Sequence, residues 1–231
     1  MSAEAPRADY LDVSYSEQRK PITGYPLQLV RRIADTYLHT SRGLLLDVGC
    51  GRGDQIRAFA AAGFTVEGAD LSPRAPEFAA GEYPVKVFNF ETATFPWPDD
   101  YADFVFCKSI IEHMRDPDRL VSECLRILKP GGQAIFITPN WDRMYREFYT
   151  EYTHRTPFTR KSLGDCMLIN GFVGVKVDDL IQLPLVWRYG WLRPLTRLVA
   201  LAPNSFRRHK TVKHSKDVML LGLGRKSELP R

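Results

Sequence analysis

The sequence predicts an α/β protein with a doubly wound, mostly parallel sheet of seven strands, the last of which enters antiparallel. Two observations predict this fold. Short apolar runs alternate with helical stretches, and helical crossovers return each strand parallel to the one before it. A glycine-rich turn at 49–53 directly follows the first run, at the carboxyl end of its strand, where open parallel sheets bind ligands.

Local patterns predict each element in chain order. The stretch 24–40 carries Leu27, Val30, Ile33 and Leu38 at helical spacing, which predicts an amphipathic helix that caps the core. Strands follow at 44–48, 65–70, 85–90, 104–108, 133–138 and 172–178, and the final run DVMLLGLGRK supplies the antiparallel strand. Helices are predicted at 55–62, at 117–128, where KPGG stops the helix, and at 159–170.

Length and composition favour one globular domain with additions. The chain has 231 residues, of which 44% are hydrophobic and 26% charged, enough to bury a full core. Within this domain we distinguish a helical cap at 1–40, a core at 41–180, and a basic amphipathic lid segment with the final strand at 181–231.

The cysteines and the lengths of the apolar runs indicate the cellular compartment of the protein. Four cysteines occur without a CxxC pair, so they support neither a disulfide framework nor a zinc site, and we expect reduced thiols. No basic N-terminal region precedes an apolar core, and no run of about 18 apolar residues occurs. We therefore expect a cytoplasmic protein.

Charge is distributed unevenly along the chain. Residues 181–231 contain eleven lysines and arginines and two acidic residues. Residues 1–180 contain 21 lysines and arginines and 25 acidic residues. A basic tail on an acidic body suggests an anionic partner surface: lipid head groups, a phosphorylated substrate or nucleic acid.

The turn in LLLDVGCGRGDQ indicates what kind of ligand it holds. Gly49, Gly51 and Gly53 permit positive φ and let the backbone approach a ligand closely. A dinucleotide fingerprint needs a small residue where this sequence has Asp54, and that carboxylate repels a pyrophosphate. The turn therefore argues against NAD and FAD, although an ordinary strand-to-helix turn is the simpler alternative.

Asp47 followed by G-x-G-x-G resembles motif I of the class I S-adenosylmethionine (SAM) methyltransferases. VEGADLSP, VFNFETATFPWPDDYADFVF, CKSIIEHM and LRILKPGGQAIFITPN resemble later motifs of that family in the same order, so the resemblance covers about 44–172. It implies a Rossmann-like fold and SAM as cofactor, with Asp70 on the ribose hydroxyls and Asn89 or Glu91 near the adenine amino group. The implied cofactor-binding residues are Asp47, Gly49, Gly51, Gly53, Asp70, Leu71, Asn89, Phe90, Glu91 and Lys108. Asn89 departs from the usual aspartate, and Asp70 could also cap the following helix.

Three residues are candidates for catalysis. His113 and His154 are candidate general bases because the pKa of histidine lies near working pH, although His113 could simply start a loop. Asn140 follows the fifth strand, where it could orient an acceptor hydroxyl. The aromatic residues Trp141, Tyr149 and Tyr152 could either shape an acceptor pocket or belong to the core.

No metal is predicted at this site. The ubiquinone-pathway O-methyltransferases resemble the CKSIIEHM stretch and use acids plus a histidine there to hold a metal. They carry an acid where this sequence has Ser109, and serine is a poor substitute as a ligand.

The basic segment supports two interpretations. Leu192, Leu195, Val199 and Ala202 share one helical face, and Pro194 suits the start of that helix. The segment is then either a lid packed on the sheet or a surface that meets anionic membrane or a lipid-linked substrate. In the second case the aromatic residues Trp187, Tyr189 and Trp191 lie at the interface.

We therefore expect a SAM-dependent methyltransferase that acts on a small-molecule, glycan or lipid-linked acceptor at oxygen. It would be cytoplasmic and peripheral to the inner membrane face. One alternative is nucleic-acid methylation, which is disfavoured because the fourth strand lacks an N/D-P-P-Y/F run. Another is a SAM-binding protein without catalysis.

Overall fold

The computed structural model describes residues 8–16, 18–202 and 204–229. Its centre is a sheet of β1 (Leu44–Val48), β2 (Thr65–Asp70), β3 (Val85–Val87), β4 (Ala102–Lys108), β5 (Leu128–Pro139), β6 (Val173–Ile181) and β7 (Val218–Arg225). The strand order is β3-β2-β1-β4-β5-β7-β6. Strands β1 to β5 run parallel, whereas β7 pairs antiparallel with β5 and with β6. The predicted fold class, with its antiparallel final strand, is confirmed.

Helices and short turns connect the strands. The helices are α1 (Tyr10–Ser14), α2 (Tyr25–Ile33), α3 (Asp54–Ala61), α4 (Ala75–Phe78), α5 (Pro117–Ile127), α6 (Trp141–Met144), α7 (Arg160–Ile169), α8 (Pro184–Arg188), α9 (Arg193–Val199) and α10 (Lys210–Lys216). Turns of 3-10 helix lie at Ile111–His113, Phe148–Thr150, Gly190–Leu192 and Asn204–Arg208. Local signals set the boundaries: Asp116 caps α5, and a capping box of Thr159 and Ser162 begins α7.

The hydrophobic core lies on both faces of the sheet. On one face, Leu29 and Ile33 of α2 and Phe59 of α3 pack against the strands. On the other face, Leu120 of α5 and Leu163 of α7 do the same. The chain is therefore a three-layer sandwich whose loops gather at the carboxyl ends of the parallel strands.

Strand β3 is shorter than predicted. The sequence predicts a strand at 85–90, but β3 ends at Val87. The Asn89 carbonyl accepts hydrogen bonds from the N–H groups of Thr92 (3.3 Å) and Ala93 (2.9 Å), and this turn bends the chain out of the sheet.

Strand β5 is longer than predicted and contains the KPGG sequence. Leu128 pairs with Ala102, and after a register shift Gln133 pairs with Phe104. The glycines therefore form an irregularity inside the strand, whereas the sequence placed them between the helix and the strand.

The basic segment forms several short helices, α8, α9 and α10, joined by 3-10 turns. Pro194 lies in the first turn of α9, as predicted. Of the expected apolar face, Leu195 is exposed and Leu192 and Val199 are only half-buried. The segment then runs into β7, so the end of the described chain contributes a strand to the sheet. Among the residues described, no helix has both the length and the apolar character that a bilayer crossing requires.

Candidate active site

The glycine turn after β1 has the backbone conformation that the sequence predicts. Gly49, Gly51 and Gly53 have φ values of +86°, +52° and +75°. A Cβ on Gly49 would lie 2.2 Å from side-chain atoms of Ile110, so this position excludes larger residues on two grounds. Asp54 begins α3 and forms ion pairs with two arginines of the turn and the helix. Its carboxylate is therefore engaged within the protein.

Asp70, at the end of β2, accepts hydrogen bonds from three directions. Its Oδ2 accepts the Gly51 N–H at 2.7 Å, which ties β2 to the glycine turn. Its Oδ1 accepts the Ser72 N–H at 2.9 Å and the Tyr10 hydroxyl at 2.6 Å. The carboxylate is buried, and Tyr10 reaches it from the N-terminal helix α1.

The N-terminal segment closes over the glycine turn. Leu11 of α1 is fully buried and lies 3.6 Å from where a Cβ on Gly51 would be. Arg52 is buried in the turn itself, and its guanidinium donates to the backbone carbonyls of Tyr15 and Lys20, each at 2.8 Å. The turn is thus connected to a segment that precedes the sheet by some 30 residues.

Asp47, near the end of β1, is buried and, among the described residues, lacks a hydrogen-bond partner for one of its carboxylate oxygens. Its side chain is 2% exposed, and Oδ2 makes no hydrogen bond within the described part of the chain. Burial and then the neighbouring Asp70 raise the pKa of Asp47 to about 8, against the opposing effect of Lys108. A cationic ligand group placed here would satisfy this oxygen and favour the charged form.

The residues expected near adenine follow strands β2 and β3. Leu71 is exposed (54%), as is Asn89, whose Oδ1 accepts the Glu91 N–H at 2.9 Å. Glu91 in turn accepts the N–H of Arg115 at 2.9 Å. Phe90 is buried among other aromatic rings of the core. Leu71 therefore offers open apolar surface here, and Asn89 follows β3, the strand that pairs with β2.

Lys108 ends β4, and Glu112 lies in the turn that follows it, at the same edge of the sheet. Burial lowers the pKa of Lys108, while the nearby Glu112 and Asp47 oppose that shift. Glu112 is fully buried, its Oε2 accepts the Thr138 hydroxyl at 2.9 Å, and burial raises its pKa to about 7. Between them, Ser109 adopts a left-handed φ of +58°, a strained conformation at the end of the strand.

His113 and His154 are neighbours although 41 positions separate them in the sequence. Their ring centroids lie 4.7 Å apart, and the Glu112 carbonyl accepts the N–H groups of Arg155 and Thr156, which holds the two loops together. Burial and then His154 lower the pKa of His113 to about 4, and burial lowers that of His154. Both imidazoles are therefore neutral at pH 7.

Asn140 is positioned by hydrogen bonds at both ends of its amide. Its Oδ1 accepts the Asp142 N–H at 3.0 Å and so caps α6, and its Nδ2 donates to Asp179 at 3.0 Å. The side chain is buried. This geometry favours a structural role, and the acceptor-orienting role stays a prediction.

The predicted aromatic residues lie beside the histidines. Trp141 packs edge-on against Phe148 and Tyr149, and Phe148 contacts the ring of His154 at 4.5 Å. Tyr152 is 90% exposed and Tyr149 is also exposed, so neither belongs to the core.

Sequence reasoning missed Tyr10, Arg52 and the role of Glu112. Tyr10 lies on a five-residue helix, too short to show a periodic pattern, and only Asp9 as its cap signals it. The EH pair directed attention to His113, and only burial in the fold distinguishes the preceding glutamate.

Comparison with known proteins identifies the family of the chain. A family model described as a methyltransferase domain matches residues 15–177. The chain belongs to this family. The resemblance to class I SAM-dependent methyltransferases is thereby confirmed.

Curated relatives cover part of the chain. A ubiquinone biosynthesis O-methyltransferase from Thiobacillus denitrificans is 37% identical over 124 residues, which are 50% of this chain and 51% of that protein. A probable S-adenosylmethionine-dependent methyltransferase from Mycolicibacterium smegmatis is 35% identical over 97 residues, 42% of this chain and 38% of that protein. The chain thus spans about half the length of the curated relatives it matches, or less.

Solved structures share the fold. A SAM-dependent methyltransferase from Archaeoglobus fulgidus has a TM-score of 0.66 at 20% identity, covering 94% of this chain and all of that one. A phosphoethanolamine N-methyltransferase from Haemonchus contortus, in complex with S-adenosyl-L-methionine, has a TM-score of 0.66 at 17% identity and covers 94% of this chain and 59% of that one. At these identities the likeness shows the fold alone.

Proposed function

We propose that this protein transfers the methyl group of SAM to an oxygen of a small-molecule acceptor. The observation that carries the proposal is that two buried carboxylates, Asp47 and Asp70, lie beside a turn of glycines with positive φ. SAM presents a cationic ammonium at one end and a ribose diol near the middle. The two carboxylates suit these groups.

In the proposed complex each part of the donor has its own partner. The ammonium of the methionine end pairs with Asp47, whose Oδ2 has no donor among the described residues. The ribose hydroxyls bind Asp70, and the adenine lies against Leu71 with Asn89 or Glu91 at its amino group. Lys108 stands at the carboxyl end of β4, next to the methionine end. This arrangement fixes the sulfonium methyl for an in-line displacement, which depends mostly on alignment.

The acceptor side is formed by Glu112, His113 and His154. An acceptor hydroxyl loses its proton as the methyl is transferred, and a neutral imidazole can take it. A pKa of about 4 makes His113 a weak base, so we assign the proton to His154. The exposed aromatic residues next to His154 suit a planar or sugar-like acceptor.

The test is transfer of labelled methyl from SAM into fractionated cell extract, followed by identification of the product class. H154Q and H113Q should lower turnover while SAM affinity stays unchanged. Tight SAM binding with no labelled product in any fraction would favour the alternative of a SAM-binding protein without catalysis. Label recovered in RNA or DNA would favour nucleic-acid methylation.

A second proposal concerns where the acceptor is met. Leu185, Trp191, Leu198 and Leu201 are between 61% and 80% exposed, and arginines such as Arg197 lie among them. Apolar and cationic side chains on one segment suit an anionic lipid surface. We therefore propose that 181–217 acts as a lid that also contacts anionic membrane, and that the acceptor is lipid-linked.

Vesicle binding tests this proposal with the full chain, because truncation after β6 would remove β7 from the sheet. L198S/L201S should reduce co-sedimentation with anionic vesicles, and added salt should reduce that of the unmodified protein. L168S/I169S is the matched control, since both residues are exposed on α7 away from the basic segment. Equal binding by both double variants would contradict the proposal.

A further inference from the structure

A pocket of about 580 Å³ lies between α6, α9 and α10. Its lining combines basic side chains with Tyr145, Leu198, Ala200, Leu201 and Ser215. Among the described residues, none that we assign to SAM or to the acceptor lines this pocket. It is therefore separate from the candidate active site.

Three arginines line the pocket without an acidic partner. The side chains of Arg143 on α6 and Arg197 on α9 form no ion pair or hydrogen bond with any described residue. Arg146 lies over the ring of Tyr145, with its guanidinium carbon 5.4 Å from the ring centroid, and it too lacks an ion pair among these residues. All three arginines are exposed, so their N–H groups can turn towards a bound group.

The acidic side chains of the pocket do not balance its cations. Asp142 and Glu147 line it together with the three arginines and Lys216, which leaves a net charge of +2. Glu147 and Lys216 already interact with other groups of the chain. The three arginines therefore share the pocket with one further carboxylate, and the pocket favours a ligand with two negative charges.

Ser215 supplies an independent indication of a ligand. This residue of α10 lines the pocket and is 2% exposed, yet its Oγ has no hydrogen-bonding partner among the residues that the structure describes. A buried hydroxyl left unpaired is costly. An anionic oxygen bound beside α10 would accept the proton of this hydroxyl and remove that cost.

We propose that this pocket binds the phosphate group of an anionic ligand. A guanidinium presents parallel N–H donors that match two phosphate oxygens, and Arg143 and Arg197 bring such donors from two different helices. A phosphate dianion matches the net charge of the lining, whereas a carboxylate supplies one negative charge only. The exposed Leu198 and Leu201 line the same pocket and offer apolar surface to the rest of the ligand.

The sequence leaves the anionic partner of the basic segment open among lipid head groups, a phosphorylated substrate and nucleic acid. A pocket of this size takes a single phosphate-bearing group, which favours the first two. A phospholipid head group and a soluble phosphorylated molecule share this chemistry, and separate probes distinguish them. Phosphate binding does not depend on the proposed methyl transfer, since none of the pocket residues has a role in it.

The experiment is calorimetry of the full chain at fixed ionic strength with two probes, inorganic pyrophosphate and monomeric dihexanoyl phosphatidylglycerol. We expect one binding site per chain for at least one probe. R143Q/R197Q should bind that probe at least about tenfold more weakly, because charge-assisted hydrogen bonds are lost. S215A should bind it about fivefold more weakly. The melting temperature of ligand-free S215A should not fall, because no hydrogen bond of this hydroxyl is lost there.

The matched control is R42Q/R225Q, which removes the same charge at a distance from the pocket. Both arginines are exposed; Arg42 precedes β1, and Arg225 pairs with Gln133 near the start of the parallel-paired part of β5. They therefore lie at the edge of the sheet opposite to α6, which follows the carboxyl end of β5. The control should keep the affinity of the unmodified protein.

Binding of pyrophosphate that is lost in R143Q/R197Q would support a soluble phosphorylated ligand. Binding of phosphatidylglycerol alone, lost in the same variant, would support a lipid head group. No binding of either probe, or equal losses in R143Q/R197Q and R42Q/R225Q, would overturn the inference. SAM affinity, measured in parallel, shows that the variants are folded. Failure to bind SAM in every variant and in the unmodified protein would speak against the proposed function and leave the phosphate result standing.

Discussion

Replacing Asp47 by asparagine should change how the stability of the ligand-free protein depends on pH. The pKa of this carboxyl rises from its ordinary value of 3.8 to about 8 in the fold. The folded state therefore binds a proton that the unfolded state has already released. The unfolding free energy consequently falls as pH rises between those two values.

The magnitude follows from the size of the shift. Each pH unit between the two pKa values costs on the order of 1 kcal/mol of unfolding free energy, so a change from about pH 5.5 to about pH 7.5 costs about 2 to 3 kcal/mol. Asparagine does not titrate, and groups that lie far from Asp47 contribute equally in both proteins. The difference between D47N and the unmodified protein should therefore grow by this amount in favour of D47N.

Urea unfolding at the two pH values, followed by tryptophan fluorescence, measures this difference. D35N is the matched control, because Asp35 is exposed. Parallel pH dependences for D47N and the unmodified protein would refute the reasoning. Saturating S-adenosylhomocysteine should flatten the dependence of the unmodified protein, since in the proposed complex its ammonium pairs with the Asp47 carboxylate.

Three further predictions test the same region. D70A should weaken SAM binding by about 1.5–3 kcal/mol, measured by calorimetry, because a charge-assisted pair is lost; unchanged affinity would remove Asp70 from the ribose role. Y10F should tighten SAM binding by about 1 kcal/mol, since the Tyr10 hydroxyl occupies an acceptor position of Asp70 in the ligand-free protein; weaker binding would mean that Tyr10 supports the cofactor. G49A should lower the unfolding free energy by about 3 kcal/mol, because Ile110 blocks the new Cβ. G81A, at a φ of +69° in open space, should cost only about 1 kcal/mol, and equal losses in the two would contradict the steric argument.

The fold was predictable where the pattern was local. The apolar run 44–48 and the glycines after it determine local backbone conformation within a few residues. The structure has the strand and the glycine turn as predicted. The end of β3 was not predictable, because the turn at Asn89 competes with a sequence that is apolar enough to continue the strand. The KPGG stretch likewise has turn composition, yet the pairing of Leu128 and of Gln133 with β4 on either side retains it within β5.

The candidate site was predictable in its donor half and less so in its acceptor half. Asp47 and Asp70 each end or follow an apolar run, so their common edge follows from parallel strands. The contact between His113 and His154 depends on two loops that meet through backbone hydrogen bonds of Glu112. Nothing in the local sequence of either loop encodes that pairing, and the same holds for Tyr10 on Asp70.

The position of β7 between β5 and β6 has a consequence for synthesis on the ribosome. β6 is made some 40 residues before β7, its neighbour in the sheet, and until then β5 has an unpaired edge and β6 has no partner among the described strands. Strands β1 to β5 can assemble earlier, since they pair with one another and all precede β6 in the chain. We therefore expect the growing chain to hold a five-stranded sheet with β5 exposed at its edge and β6 unpaired, the state in which such proteins are most prone to aggregate and to need a chaperone.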